Sequence, residues 1–181
     1  MKKLFLLSAL AGIMTSCMNN NAVDNKAAMN KAKTQRFYDE VINAHNPAMI
    51  DSFCSADFTD HNPDPGFSGK GIEDLRANFK AFFIGYPDIH ITTNMMVANG
   101  DTVMTMLTMT GTNSGPMMGQ PPTNKQVNIG GTDILVIKDG KAAERWGYFD
   151  NMKMMQQLGL MPEMGAAPDN SKMNEAKVEK K

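Results

Sequence analysis

The sequence predicts an α+β domain in which helices come first and an antiparallel sheet follows. Three observations carry this expectation. Up to Pro87 the apolar residues recur at helical spacing, and beyond it they recur every second residue among β-branched side chains. Asn99-Gly100-Asp101 and Lys138-Asp139-Gly140-Lys141 then punctuate the second half as tight hairpin turns. Helices and strands segregated in this way place the helices on one face of a curved sheet, and no internal repeat breaks the order.

Each element has its own local reason. Residues 27–44 carry Ala28, Ala32, Phe37, Val41 and Ile42 at mostly helical spacing, with Asp24 available as the N-cap. Asn46-Pro47 supplies a cap and a first-turn proline for a short second helix over 48–53. The third helix, 71–85, sets Ile72, Leu75, Phe79, Phe82 and Phe83 along one stripe and closes at Gly85 ahead of Pro87. Strands are expected at 88–98, 102–111, 126–137 and 142–148. Residues 112–124, with Gly115-Pro116 and Pro121-Pro122, form a longer rim loop.

Composition bounds the function. The chain has 181 residues, 42% of them hydrophobic, enough for one ordinary core. Its 18 Lys and Arg against 19 Asp and Glu leave no broad positive field, which argues against a nucleic-acid partner. Two cysteines make no disulfide scaffold, and Cys54 reads as a small buried hydrophobe. Three scattered histidines, His45, His61 and His90, hold no pair at metal-binding spacing, so no metal site is expected, and no cofactor is expected either. The 18 methionines hint at a forgiving apolar pocket.

The first residues read as an export signal. Lys2-Lys3 precede a ten-residue apolar run, 4–13, too short for the roughly 17–25 residues that span a bilayer. The run leads into Met14-Thr15-Ser16-Cys17, which resembles the lipobox of bacterial lipoproteins with Met14 in place of the usual Leu. The expectation is therefore a signal peptide over 1–16, lipidation at Cys17, a polar tether over 17–26, the domain over 27–162 and a disordered tail over 163–181. Such a protein is exported and held at a bacterial membrane through its lipid.

The segments Phe58-Thr59-Asp60-His61-Asn62-Pro63, Tyr86-Pro87-Asp88-Ile89-His90, Gly111-Thr112, Pro121-Pro122-Thr123, Glu144-Arg145-Trp146 and Gln156-Gln157-Leu158-Gly159 occur in this order across roughly 33–161. In this the chain resembles the SnoaL-like polyketide cyclases, or ester cyclases, of the nuclear-transport-factor-2-like superfamily. The resemblance implies a cone-shaped, cystatin-like α+β domain, three N-terminal helices packed on a curved antiparallel sheet around an apolar cavity that holds a hydrophobic substrate. It also implies acid–base chemistry at Asp150, the cavity lying on the side of the Trp and the final Asp. Asn113 and Arg145 depart from the family, standing where many members have histidine.

Strand alternation puts Glu144, Trp146, Tyr148 and Asp150 on one face of the last strand and Arg145 with Phe149 on the other. Which face lines a cavity is not fixed by alternation. On the family's pattern Asp150 is the general base and then acid; beside it, His61 or Tyr148 is a candidate donor to an enolate oxygen, and Trp146, Tyr148 and Glu144 are candidate substrate contacts. Other readings stand beside these. Asp150 also fits the N-cap of a helix over 151–158, and His61 sits between turn-formers Asp60 and Asn62. His90 reads as packing and His45 as a helix C-terminal cap. The functions left in view are a cofactor-free cyclase or isomerase acting on a hydrophobic carbonyl compound, a lipid-anchored binding protein for such a molecule, and a scaffold that self-associates into a homo-oligomer through a sheet face.

Overall fold

The computed structural model describes residues 14–117 and 119–161, with side chains from residue 23 onward. Cys17 lies in helical backbone, its side chain outside the described part; the apolar run of residues 4–13 and the tail expected over 163–181 are likewise outside the described residues.

Helix α1 (Met14–Phe37) runs through the polar stretch, so Asp24 sits inside it and is no N-cap. Among the described side chains the first buried one is Ala27, beside Lys26, whose amine meets Asp101 at 2.6 Å. The helix then widens into a π-helical turn, Tyr38–Asn43, with Ala44 N–H donating to the Asp39 carbonyl at 3.1 Å. That extra residue turns Tyr38, Val41 and Ile42 into the interior together. A 3₁₀ turn, Pro47–Met49, leads into the short α2 (Ile50–Phe53); Pro47 takes the first turn as expected, whereas the Asn46 side chain makes no capping hydrogen bond.

The sequence reading missed one strand. β1 (Cys54–Asp60) follows α2 directly and pairs in parallel with the last strand, which makes the sheet mixed and not purely antiparallel. After α3 (Ile72–Gly85) come β2 (His90–Asn99), β3 (Thr102–Thr112), β4 (Gln126–Lys138), β5 (Lys141–Phe149) and α4 (Asn151–Leu158). The order across the sheet is β1-β5-β4-β3-β2, with all pairs but the first antiparallel.

The helices cover one face of this sheet. Val103, Leu107 and Met109 of β3 and Ile129, Leu135 and Ile137 of β4 point inward, every second residue, as a half-buried sheet requires. Burial falls into two clusters. One gathers Tyr38, Ile42, Tyr86, Ile89 and Leu158; the other gathers Val41, Ile50, Phe53, Phe58 and Leu75. Phe37 and Phe79 pack against both, their rings edge-on at 5.9 Å between centroids.

The opposite face is covered by no described element and carries Met95, Val97, Met104 and Met106, each between 40% and 51% exposed. Only part of the methionine content therefore belongs to core and cavity. His90 is also exposed, since Ile89 and Ile91 take the inward places on either side of it, contrary to the packing role expected.

Candidate active site

A cavity of about 600 Å³ lies between the helices and the inner face of the sheet. Phe37, Phe53, Phe58, Phe79, Phe82 and Met109 supply much of its wall, from α1, α2, β1, α3 and β3. Met117, Met154 and Met155 also reach it, the soft side chains adapting to an irregular void.

Register decides which side of β5 faces this space. Arg145 stands opposite Leu135, and Gly147 opposite Asp133, both on the inward face of β4. Trp146 and Glu144 pair with Ile134 and Val136 and so belong to the outer face. The expectation that the cavity lies on the side of Trp146 and Asp150 is thus reversed: Arg145, Gly147 and Phe149 line it.

Arg145 organises the polar part of the wall. Its Nη1 donates to Asp60 Oδ2 at 2.7 Å, and its Nε and Nη2 donate to Asp133 Oδ1 at 2.9 and 2.7 Å. Tyr38 closes the group, its hydroxyl donating to Asp133 Oδ2 at 3.1 Å. Burial works against the Arg145 charge, yet the Asp133 and Asp60 carboxylates outweigh it and hold the guanidinium ionised above its ordinary range. Burial, with Asp133 adding to it, drives the Tyr38 phenol far upward, so it stays a neutral donor. One positive charge facing two carboxylates leaves the cluster a net acceptor of positive charge or of donated hydrogen bonds.

The residues named from the sequence fall elsewhere. His61 is outside the cavity, its ring stacked on Trp146 at 4.1 Å between centroids and 5° between planes. His61 Nε2 meets Glu144 Oε2 at 3.1 Å, while Lys138 donates to Glu144 Oε1 at 2.9 Å. Lys138 first, then His61, holds the Glu144 carboxyl below its usual range. His61, Glu144 and Trp146 are therefore brought together, but on the outer side of β5. Tyr148 reaches the cavity rim and is 54% exposed.

Asp150 is exposed, does not line the cavity, and accepts the Lys153 N–H at 3.0 Å as the N-cap of α4. The N-cap reading of this residue is realised.

Two further expectations find their physical account. Asn113, at a position where the family often has histidine, is buried and serves the rim loop: its amide donates to Gly115 O at 3.0 Å and its Oδ1 accepts from Thr123 N–H at 2.9 Å. Cys54 is buried, and burial pushes its thiol up to about 12, so it remains a protonated hydrophobe. Sequence reasoning did not find Asp133, Asp64 or Tyr38 as cavity residues. An aspartate among Gly130-Gly131-Thr132 and Ile134-Leu135 was the available signal, since a carboxylate flanked by strand-forming apolar residues needs a buried partner. Among the described residues no group of three or more His, Cys, Asp or Glu side chains converges as metal ligands would.

A helical wall closing a bent mixed sheet over one apolar cavity defines the cone-shaped α+β class of small-molecule enzymes and binders. The chain belongs to the SnoaL-like polyketide cyclase family, whose sequence profile matches residues 32–158. It is similar to TsrD from Streptomyces laurentii, with 26% identity and a TM-score of 0.67 over 74% of this chain and 97% of that one. A protein of Bacillus cereus assigned as a polyketide cyclase shares 31% identity at a TM-score of 0.61, over 71% and 79% of the two chains. IdmH from Streptomyces antibioticus, at 24% identity and a TM-score of 0.62 over 72% and 98%, shares the fold. A search of curated proteins returned no match.

Proposed function

We propose that the protein is a cyclase or isomerase that takes a hydrophobic, carbonyl-containing small molecule into its cavity and rearranges it by acid–base chemistry of the aldol type, without a cofactor. The observation that carries this reading is a cavity of about 600 Å³ with aromatic and methionine walls and carboxyl groups set into them. That volume lies in the range of small-molecule sites, and an apolar wall with a few placed polar groups is how such sites bind and orient. Family membership supports the cyclase or isomerase class of reaction.

A lipid-anchored binding protein using the same cavity without chemistry is the second reading. One observation favours it: the Asp150 carboxyl is exposed and engaged by a backbone amide. Native mass spectrometry of the full chain purified with its co-purifying ligand separates the two. Incubation with the extracted ligand should convert it to an isomer of unchanged mass and altered carbonyl chemistry; recovery of unaltered ligand supports the binder.

In either reading the protein works outside the cytoplasm, exported and held to a bacterial membrane by lipid on Cys17. The support is the basic start, short apolar run and cysteine of residues 2–17. No helix of the described residues is long and apolar enough to cross a membrane.

A further inference from the structure

We propose that Asp64, on the loop between β1 and α3, is the carboxyl that moves protons in this cavity. The inference rests on the acid–base reading above and replaces Asp150 as the group that performs it. A general base must lie within hydrogen-bond reach of the carbon acid it serves, so a molecule held in the cavity can be served only by a group in the cavity wall.

Three carboxyls line that wall: Asp60, Asp64 and Asp133. Asp60 and Asp133 are both engaged by Arg145 at 2.7 Å. Asp64 makes no ion pair with any described residue, so among these three it is the carboxyl that Arg145 does not bind directly, with the neutral Asn78 amide as its neighbour. The other ionisable groups of the wall are poorly suited. The Cys54 thiol is held up at about 12, the Tyr38 hydroxyl donates to Asp133, Arg145 is committed to Asp60 and Asp133, and Tyr148 is an exposed phenol at the rim.

The loop holds Asp64 in place. Pro63 and Pro65 flank it and fix their own φ angles, while the Asp64 carbonyl accepts the Phe67 N–H at 3.1 Å. Both ends of the loop are tied, Asp60 N–H to the Gly69 carbonyl at 2.8 Å and Gly69 N–H to Asp74 Oδ2 at 2.8 Å. Asn78 of α3 lines the cavity with it. Burial pushes the Asp64 carboxyl above its ordinary range, nearby Asp60 adds to this, and the Asn78 amide and Arg145 charge oppose it only in part. A carboxyl shifted this way is closer to the working pH and a stronger base when ionised.

The step balances within the substrate. Ionised Asp64 takes a proton from the carbon beside a carbonyl; the C–H electron pair moves into the enolate. The enolate carbon then bonds to a second carbonyl carbon of the same molecule, and the resulting alkoxide takes the proton back from Asp64. Carboxylate is regenerated and the product is an isomer of the substrate.

The test uses the full chain and 5-nitrobenzisoxazole, whose isoxazole ring opens to a cyanophenolate when a base removes the proton on C3 and the N–O bond breaks. Wild type should open it faster than free acetate does at equal concentration, Asp64→Asn should lose roughly 10²–10⁴ of that rate, and Asp150→Asn should keep it. Asp64→Glu should restore part of the rate. A wild type that accelerates the reaction while Asp64→Asn keeps the full rate overturns the Asp64 assignment alone. A wild type with no acceleration, in which the probe is still bound, overturns the acid–base reading and the assignment with it. Folding is checked by thermal melts across pH. With the folded pKa above the unfolded value of 3.8, the unfolded chain binds fewer protons between the two, so wild type loses stability as pH rises through that window. Asp64→Asn should remove this loss, and parallel wild-type and variant curves from pH 4 to 7 would also overturn the proposal.

Discussion

The Arg145 guanidinium lies over Gly147, two residues along the same strand, in the space that a Cβ at that position would occupy. The arginine therefore folds back along β5 toward Asp60 and Asp133, and the absent side chain is what admits it. A similar relationship recurs one pair further, where a Cβ on Gly131 would run into the Phe149 ring. Two glycines on neighbouring strands thus make room for Arg145 and Phe149, two β5 side chains that face the cavity.

Gly147→Ala should displace the guanidinium, and because Arg145 is held by two carboxylates it cannot swing aside freely. The expected outcome is a clear fall in melting temperature. Arg145→Ala should be worse, since it leaves two carboxylates facing each other without a cation. A loss of about 3 kcal/mol or more is expected, on the order of 10 °C for a domain of this size. Replacing Arg145 together with both carboxylates by apolar residues should recover much of it.

Asp150→Asn and Asp150→Ala separate the cap from chemistry. Asparagine keeps the side-chain acceptor for the Lys153 amide, so its melting temperature should match wild type. Alanine should cost about 0.5–2 kcal/mol, the usual worth of a lost N-cap. Thermal melts of both, beside turnover measurements, check this.

Asp88 ties the start of the sheet to the end of β3, its two carboxyl oxygens accepting from the Thr112 amide at 2.6 Å and the Thr112 hydroxyl at 2.7 Å. The Thr112 hydroxyl first, and its amide next, hold the Asp88 carboxyl below its usual 3.8. A depressed folded pKa contributes stability that is present above the unfolded value and lost as pH falls through the folded one. Thr112→Val should therefore be less stable than wild type at pH 7, with the gap narrowing as the pH is lowered past 3.8. A gap independent of pH would contradict the pairing.

Cys17→Ser should move the protein from the membrane fraction to the soluble exported fraction, because the lipid-bearing thiol is gone. Mass spectrometry of the wild-type chain should show an acylated N-terminal Cys17. An unmodified chain that is already soluble would remove the anchor from the account.

Much of the fold was legible because its signals are local. The Phe79, Phe82 and Phe83 stripe ended at Gly85 as read, and the Asn99-Gly100 and Asp139-Gly140 turns joined the strands expected of them. β1 was not legible. It is seven residues long, its inward positions hold a cysteine, a phenylalanine and an aspartate, and its partner strand begins more than eighty residues later. Its register shifts between Cys54 and Thr59, so even the period of two is broken.

The site divides along the same line. The sequence alone determined that β5 sorts Glu144, Trp146 and Tyr148 from Arg145 and Phe149, because alternation is a property of the extended backbone. It determined as well that Asp150 precedes a helix and that Asp60 and Asn62 make a turn, with Asn62 N–H donating to Asp60 Oδ1 at 2.9 Å. Tertiary structure alone decided which of the two β5 faces meets the helices, since that depends on the register with β4 and on which side of the finished sheet has room for α1 and α3. It also decided that Asp60 and Asp133, dispersed along the chain, converge on Arg145, with Tyr38 donating to Asp133. Such a group forms only where packing removes water from several charges at once, so that each must find its counterpart among residues no local pattern connects.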